Sequence, residues 1–467
     1  MDGTVILDLT CEEAIDRLEP ALLQVELLDL IGAKQAVVAI IGLGYVGLPL
    51  AAAFAEVGFS VVGFDVDAAR VETINRGVSP IADVTTADLQ KLVTGTAQVD
   101  GAGSLRATVD FGELSQADAI LICVPTPVRA SKEPDLSFVE AAAAQVAAHM
   151  KPGALVISES TTYPGTTEEL ILPLLEQGRG GQRRSVGVDV FLAFSPERID
   201  PGRTDWTVRT TPKVVGGVTP ACCDAAARLY GQVVETVVPV SKPRTAEMVK
   251  LLENSFRAVN IALANEMAAI CHALDMDVWE VINAAKTKPF GFMPFFPGPG
   301  VGGHCIPVDP HYLVWKLRAM NHPARSIQLA MEINESMPAF VVSRVSDELN
   351  NRGKPVRNSR VLILGVAYKR DVADMRESPA LHIIELLIEK GAVVSFHDPL
   401  VKELNFGSTT LVSVELSADH LTSSDCVIAV TDHSAYDWNA IAAAAPLLFD
   451  TRNVTAGLPA TPSVVKL

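Results

Sequence analysis

The chain alternates short, almost wholly apolar runs with longer stretches in which apolar residues return every three or four positions. Runs at 36–41, 60–64, 118–124, 154–158, 191–198 and 213–217 have the Val/Ile/Leu/Ala character of strands buried on both faces, as in a parallel sheet. A helical stretch at 48–57 separates the first two. The rhythm returns at 360–365, 392–396, 426–430 and 447–450. Between the two series the chain reads as mostly helical, and 245–274 is long, Ala-rich and apolar enough for a buried or interface helix. Ahead of everything, Ala14, Leu18, Leu22, Leu23 and Leu27 fall near helical spacing. They predict an amphipathic helix that packs either on the next domain or on another subunit. The expected fold is α/β, with two doubly wound parallel-sheet domains joined by a long central helix. The expected segments are 1–34, a helical extension; 35–217, the first sheet domain, with 213–217 as its last strand; 218–348, a helical middle; and 349–467, the second sheet domain.

The turn after the first run reads Gly42-Leu43-Gly44-Tyr45-Val46-Gly47, and the second run ends at Asp65, 18 positions after the last of those glycines. G-x-G-x-x-G between strand and helix, with an acid at this distance, is the dinucleotide fingerprint of a Rossmann-like domain. The glycines admit the pyrophosphate, whose charge rests on the helix N-terminus. Asp65 would hold both hydroxyls of the adenosine ribose and repel a 2′-phosphate, which favours NAD over NADP. The run at 118–124 ends in Pro125-Thr126-Pro127, and that at 154–158 in Glu159-Ser160-Thr161-Thr162. Ligands in open α/β sheets meet the C-terminal ends of strands. Thr126 and Thr161 therefore either face a ligand or serve as turn and capping residues. The run at 360–365 has one glycine and no G-x-G-x-x-G, so no second dinucleotide is expected. Lys369, Arg370, Arg376 and Arg452 sit at or beyond strand ends in this second series. They are either a phosphate site or surface charge.

The stretch Gly298-Pro299-Gly300-Val301-Gly302-Gly303-His304-Cys305-Ile306-Pro307-Val308-Asp309-Pro310 carries three prolines and four glycines, which exclude a helix or a central strand. It predicts a rigid loop whose backbone comes close to something. Cys305 in it is either a nucleophile, with Asp309 to move protons or hold water, or a small buried hydrophobe. Lys250 and Asn254 lie one helical turn apart. They are either polar groups buried for a purpose, or a solvated stripe, or a lysine in an ion pair with Glu247 or Glu253.

Composition narrows the partners. The chain has 467 residues and a net charge of −17, which argues against nucleic acid or an anionic membrane as the main partner. Seven scattered cysteines with no C-x-x-C pair predict neither a disulfide framework nor a metal site, and a reducing, cytoplasmic setting. The acidic start of the chain does not read as a signal peptide, and no apolar run is long enough for a bilayer span.

These motifs occur in one order: Ile41 to Pro49, Val124-Pro125-Thr126-Pro127, Ser195-Pro196-Glu197-Arg198, Lys250-Leu251-Leu252-Glu253-Asn254, Gly302-Gly303-His304-Cys305, and Lys369 through Arg376-Glu377-Ser378-Pro379. From about residue 36 onward the chain resembles the UDP-glucose/GDP-mannose dehydrogenases, the nucleotide-sugar 6-dehydrogenases. The resemblance implies oxidation of a sugar C6 alcohol to a carboxylate with two NAD and one water. It implies that Cys305 is the nucleophile, through a thiohemiacetal and a thioester, and that Lys250 and Asn254 steady oxyanion charge. Asp309 with a water would accept protons, Thr126 would help hold that water, and Glu197 would assist thioester hydrolysis. Cofactor contacts implied are Gly42, Gly44, Tyr45, Val46, Gly47, Asp65, Arg70, Thr126, Thr161 and Arg376. Substrate contacts implied are Glu197, Arg198, Lys250, Asn254, Gly302, His304, Lys369 and Arg452. Pro201 stands where many UDP-glucose enzymes carry a second glutamate. Gly-Gly-His-Cys in place of Gly-Gly-Ser-Cys points to a UDP-N-acetylhexosamine, with UDP-N-acetylglucosamine as the first choice and the mannosamine and galactosamine epimers open. A homodimer or larger assembly through the long helix is also implied.

Overall fold

The computed structural model describes residues 11–81, 83–95, 103–129, 131–178, 183–199, 205–406, 409–459 and 461–467. The chain divides into two compact units, Met1–Leu252 and Glu253–Leu467.

The first unit is built on one sheet of eight strands: β1 Val37–Ile41, β2 Ser60–Phe64, β3 Ser104–Thr108, β4 Ala119–Ile122, β5 Leu155–Ser158, β6 Phe191–Phe194, β7 Lys213–Gly217 and β8 Val237–Val240. Their order is β3-β2-β1-β4-β5-β6-β7-β8. All neighbours are parallel except β6 and β7. The inner strands β4, β5 and β6 are buried at every position, the expected result when helices cover both faces. The sheet has two strands more than expected, β3 and β8, and 213–217 is not its last strand, because β8 pairs outside it. β8 contains Pro239 and is only partly buried, so it lacks the apolar signature, and proline is tolerated there because it lies at the edge. The helix Cys11–Gly32 puts Leu27 and Ile31 into this unit's core.

The helix Pro243–Ala273 carries the chain into the second unit. There the helices Val278–Ala285, Asp309–Ala319 and Arg325–Asn351 precede a second parallel sheet. Its strands are β9 Arg360–Leu364, β10 Val393–His397, β13 Cys426–Ala429, β14 Leu448–Asp450 and β15 Val464–Lys466, with a hairpin of β11 Glu403–Phe406 and β12 Thr409–Val412. The order is β10-β9-β13-β14-β15. The strand order reverses between β9 and β13, so the C-terminal ends of these two strands flank a switch point. The α/β architecture with two doubly wound sheets is therefore present.

Candidate functional site

In the first unit, β1 delivers the chain to a glycine turn. A Cβ on Gly47 would lie 1.8 Å from the Gly42 carbonyl oxygen, so turn and helix close up only because residue 47 has no side chain. A Cβ on Gly44 would meet nothing within 4 Å. This position therefore leaves room for a ligand to approach the backbone. Val46 caps the helix Gly47–Glu56 without a side-chain hydrogen bond; the Gly44 carbonyl takes the Leu48 amide and Pro49 has none, so what the helix end offers an anion is chiefly its positive dipole. Tyr45 beside it is exposed. At the end of β2, Asp65 is buried; it accepts from Leu43 N and Asp67 N, and from the half-exposed Arg70 at 3.0 Å. Ser160 Oγ donates to the Val124 carbonyl at 2.8 Å. It thereby ties together the loops after β4 and β5, which carry the half-buried Thr126 and Thr161. A ten-residue helix with no side-chain cap at its N-terminus, room at Gly44 and an acid at the end of β2 fit a dinucleotide.

The same unit holds Glu197 just beyond β6. Its Oε1 accepts from Arg198 N at 2.7 Å and Ile199 N at 2.5 Å. Burial would raise this carboxyl. The Lys213 ammonium, the Ile199 amide, the Lys250 ammonium and the Arg198 amide outweigh that and hold it below the ordinary carboxylate value. The Arg198 guanidinium donates to the Pro212 carbonyl at 2.7 Å. Lys250 is buried, so the solvated-stripe alternative falls. Glu247 is engaged elsewhere, accepting from Gly165 N, Thr167 N and Thr167 Oγ1. Pro201 lies outside the described residues.

In the second unit, the glycine loop turns at Cys305 and runs straight into the helix that Asp309 opens. Pro310 lies in that helix's first turn, where a missing N–H costs nothing. The Cys305 carbonyl accepts from Asp309 N at 2.7 Å. The Asp309 carboxylate, 3 % exposed, accepts from Asn254 Nδ2 at 2.5 Å. Cys305, Asp309 and Asn254 are thus one hydrogen-bonded unit. What the loop approaches is now visible. A Cβ on Gly298 would lie 2.8 Å from an Arg452 guanidinium nitrogen, and one on Gly302 would meet Tyr368 and the Glu377 carbonyl. Gly303 N donates to the Arg376 carbonyl, and His304 Nδ1 lies 3.5 Å from the Arg376 guanidinium, which grips Asp374. Two buried amides anchor the loop's start: Asn265 Oδ1 accepts from Gly298 N at 2.9 Å and its Nδ2 donates to Asn334.

Lys369 and Arg370 follow β9, and Arg370 pairs with Asp432. Arg452 follows β14 and donates from Nε to the Val430 carbonyl at 2.9 Å. Burial pulls its guanidinium below the ordinary value against the opposing charge of Asp432, so an added anion would be welcome there. The acid after β10, Asp398, is saturated by Val366 N, Ala367 N, Leu400 N, Val401 N and His433 Nε2. Among the described residues there is no cluster of His, Cys, Asp and Glu fit for a metal, no disulfide joins the described cysteines, and no helix is long and apolar enough to cross a membrane.

Three family models match the chain: the NAD-binding domain of the UDP-glucose/GDP-mannose dehydrogenases over residues 36–234, their central domain over 244–336 and their UDP-binding domain over 362–457. The chain belongs to the UDP-glucose/GDP-mannose dehydrogenase family. It is an NAD-dependent nucleotide-sugar dehydrogenase. It is 40% identical over 410 residues to a UDP-N-acetyl-D-mannosamine dehydrogenase of Yersinia pestis, covering 85% of this chain and 94% of that protein. It is 38% identical over 405 residues to an NDP-N-acetyl-D-galactosaminuronic acid dehydrogenase of Ralstonia nicotianae, covering 85% and 91%. Among solved structures, a UDP-D-ManNAc dehydrogenase from Pyrococcus horikoshii superposes with a TM-score of 0.82 at 35% identity, covering 92% of this chain and 98% of that one.

Sequence reasoning gives no role to Lys213, which meets Glu197 in the first unit, or to Glu159 and Tyr230, which bond to Lys213 and to each other. The available signal was a charged residue set flush against each of two apolar strand runs, at 159 and 213.

Proposed function

We propose that this dehydrogenase oxidises C6 of a UDP-N-acetylhexosamine to the uronate in two steps. The observation that carries the reading is the Cys305–Asp309–Asn254 unit: the main chain of the cysteine turn bonds to that of Asp309, whose buried carboxylate holds an amide donor. Bound NAD supplies the hydride acceptor, twice per turnover. Asp309, through a water that Thr126 helps hold, takes the C6 hydroxyl proton. An amide nitrogen carries two N–H groups; Asn254 spends one on Asp309 and offers the other, with Lys250, to the oxyanion. Cys305 adds to the aldehyde as a thiohemiacetal, which a second hydride loss converts to a thioester. Glu197 accepts a proton from the water that then opens it. One alcohol, two NAD and one water give one carboxylate, two NADH and three protons. Lys369 and Arg452 serve the diphosphate side, and His304, Gly302 and Arg198 the sugar side.

For the epimer, the Gly-Gly-His-Cys loop alone favours UDP-N-acetylglucosamine, whereas the names of the relatives favour UDP-N-acetylmannosamine, with a galactosamine-type sugar behind it. We place UDP-N-acetylmannosamine first. A homodimer is supported by Met248, Leu252, Phe256, Leu263 and Ile270, all exposed on the long helix, since such a row of apolar side chains marks an interface. A reducing compartment suits the unbridged cysteines.

The test is NADH formed per sugar consumed, with excess NAD, across the three UDP-N-acetylhexosamines, UDP-glucose and GDP-mannose. A ratio near two is expected for the preferred sugar, and Cys305→Ser should yield no carboxylate. A ratio near one, or full turnover by Cys305→Ser, would remove the thioester.

A further inference from the structure

The first unit holds a buried charged cluster that the roles above do not use. Glu159 follows β5, Lys213 opens β7 and Tyr230 ends the helix Pro220–Tyr230; they are 1%, 6% and 0% exposed. Lys213 Nζ lies 2.6 Å from Glu159 Oε2 and 3.4 Å from Glu197 Oε2, and 5.1 Å over the Tyr230 ring. The Tyr230 hydroxyl donates to Glu159 Oε1. Glu197 Oε1 is already taken by two backbone amides, so Lys213 acts on the other oxygen. The signs alternate along the cluster: Glu159 negative, Lys213 positive, Glu197 negative, Lys250 positive. Cys123, at the end of β4, faces the same charges, and burial pushes its thiol well up, so it adds no charge of its own.

Stability alone does not call for this arrangement. A buried ion pair is often matched by apolar residues of the same volume, and burying four charged groups is costly. What the cluster does provide is a carboxylate held from three sides. We infer that Lys213, clamped by Glu159 and Tyr230, is a positioning residue for Glu197, fixing the carboxylate so that its Oε2 meets the hydrolytic water.

The inference rests on the proposed role of Glu197. In the hydrolytic step the water oxygen bonds to the acyl carbon and one water proton passes to Glu197. The C–S bond breaks and Cys305 leaves as thiolate. Lys213 remains a cation throughout. Burial works against its charge, but Glu159 and Glu197 more than restore it.

The test uses the full chain, NAD and whichever sugar gives two NADH, with rapid quench and intact mass to detect acyl groups on Cys305. A general base contributes on the order of 10²–10⁴-fold, so a base that has lost its support should cost roughly ten- to a hundredfold. Lys213→Met should slow steady-state NADH by that factor and accumulate acyl-enzyme. It should also move the acidic limb of the kcat profile to higher pH, because Glu197 keeps Lys250 but loses its nearer cation. Lys213→Arg should recover part of the rate. If Lys213→Met does not fold, the charge-balanced Lys213→Met/Glu159→Gln variant carries the test with the same expected accumulation. An unaltered rate, or a slower one with no acyl-enzyme and an unmoved acidic limb, would overturn the inference. Glu197→Gln separates the causes. Acyl-enzyme in Glu197→Gln but not in the Lys213 variants removes Lys213 alone; none in either removes the role of Glu197 and this inference with it.

Discussion

Replacing Asp398 by asparagine probes how the second sheet holds its ligand-side loop. The side chain is 2% exposed. Its Oδ2 accepts from Val366 N at 2.7 Å, Ala367 N at 3.0 Å and His433 Nε2 at 3.1 Å, and its Oδ1 from Leu400 N at 2.9 Å and Val401 N at 3.1 Å. His433 Nδ1 accepts from Asp371 N, so the ring is the neutral tautomer with its proton on Nε2. Burial would raise the carboxyl, but the donors from His433, Val366, Leu400 and Ala367 bring it from 3.8 to about 2. At ~1.4 kcal/mol per pH unit this is roughly 2.5 kcal/mol of stability. Asparagine replaces one carboxylate oxygen by an NH2 group facing two or three N–H donors, and orphaned donors cost ~1–3 kcal/mol each. The expected loss is about 3–5 kcal/mol, read by urea unfolding at neutral pH. A folded pKa below the unfolded one gives stability that is complete above the unfolded value and is lost as pH falls through the folded one. The gap between wild type and variant should therefore be constant above about pH 5 and narrow below about pH 4. Val366 and Ala367 lead into Lys369, so the KM for the UDP-sugar should rise with kcat less affected. A loss under about 1 kcal/mol, or a gap that does not narrow in acid, would refute the reasoning.

Two further outcomes concern the cofactor. Gly47→Ala should abolish NAD binding and destabilise the first unit, because its Cβ would sit 1.8 Å from the Gly42 carbonyl oxygen; unchanged affinity in calorimetry would contradict this. Asp65→Asn should weaken NAD by about ten- to a hundredfold, the worth of ~1.4–3 kcal/mol of charge-assisted bonding, and narrow the preference over NADP. Retained affinity and preference would show that Asp65 serves only Leu43, Asp67 and Arg70.

The buried strands were plain in the sequence because parallel strands covered on both faces are apolar along their length, as β4 and β13 are at every position. Edge strands escaped for the opposite reason: β3 alternates buried and exposed residues, and β15 is half-buried throughout. The loop at 298–310 was legible as a loop from its glycines and prolines. That Asp309 opens a helix was not, since Pro310 reads as a breaker unless it falls in a first turn. Lys250 and Asn254 stood out as polar groups on an apolar helix. Lys213 did not: its partners Glu159, Glu197 and Tyr230 are 54, 16 and 17 positions away, and no local spacing announces an ion pair closed by sheet topology.

The two sheets treat the acid after their second strand in opposite ways. Asp65 has three donors, one of them a half-exposed arginine that can swing aside, whereas Asp398 has five, none of which is expendable. Of the two acids, only Asp65 therefore keeps a donor that could yield to a ribose. The proposed oxidation removes two pairs of electrons, and one seat then has to be vacated and refilled midway. During that exchange the half-oxidised sugar must stay behind. Under that proposal its grip on the uridine diphosphate side and its bond to Cys305 set the commitment of the whole cycle, and a leak of aldehyde would be a failure of timing rather than of chemistry.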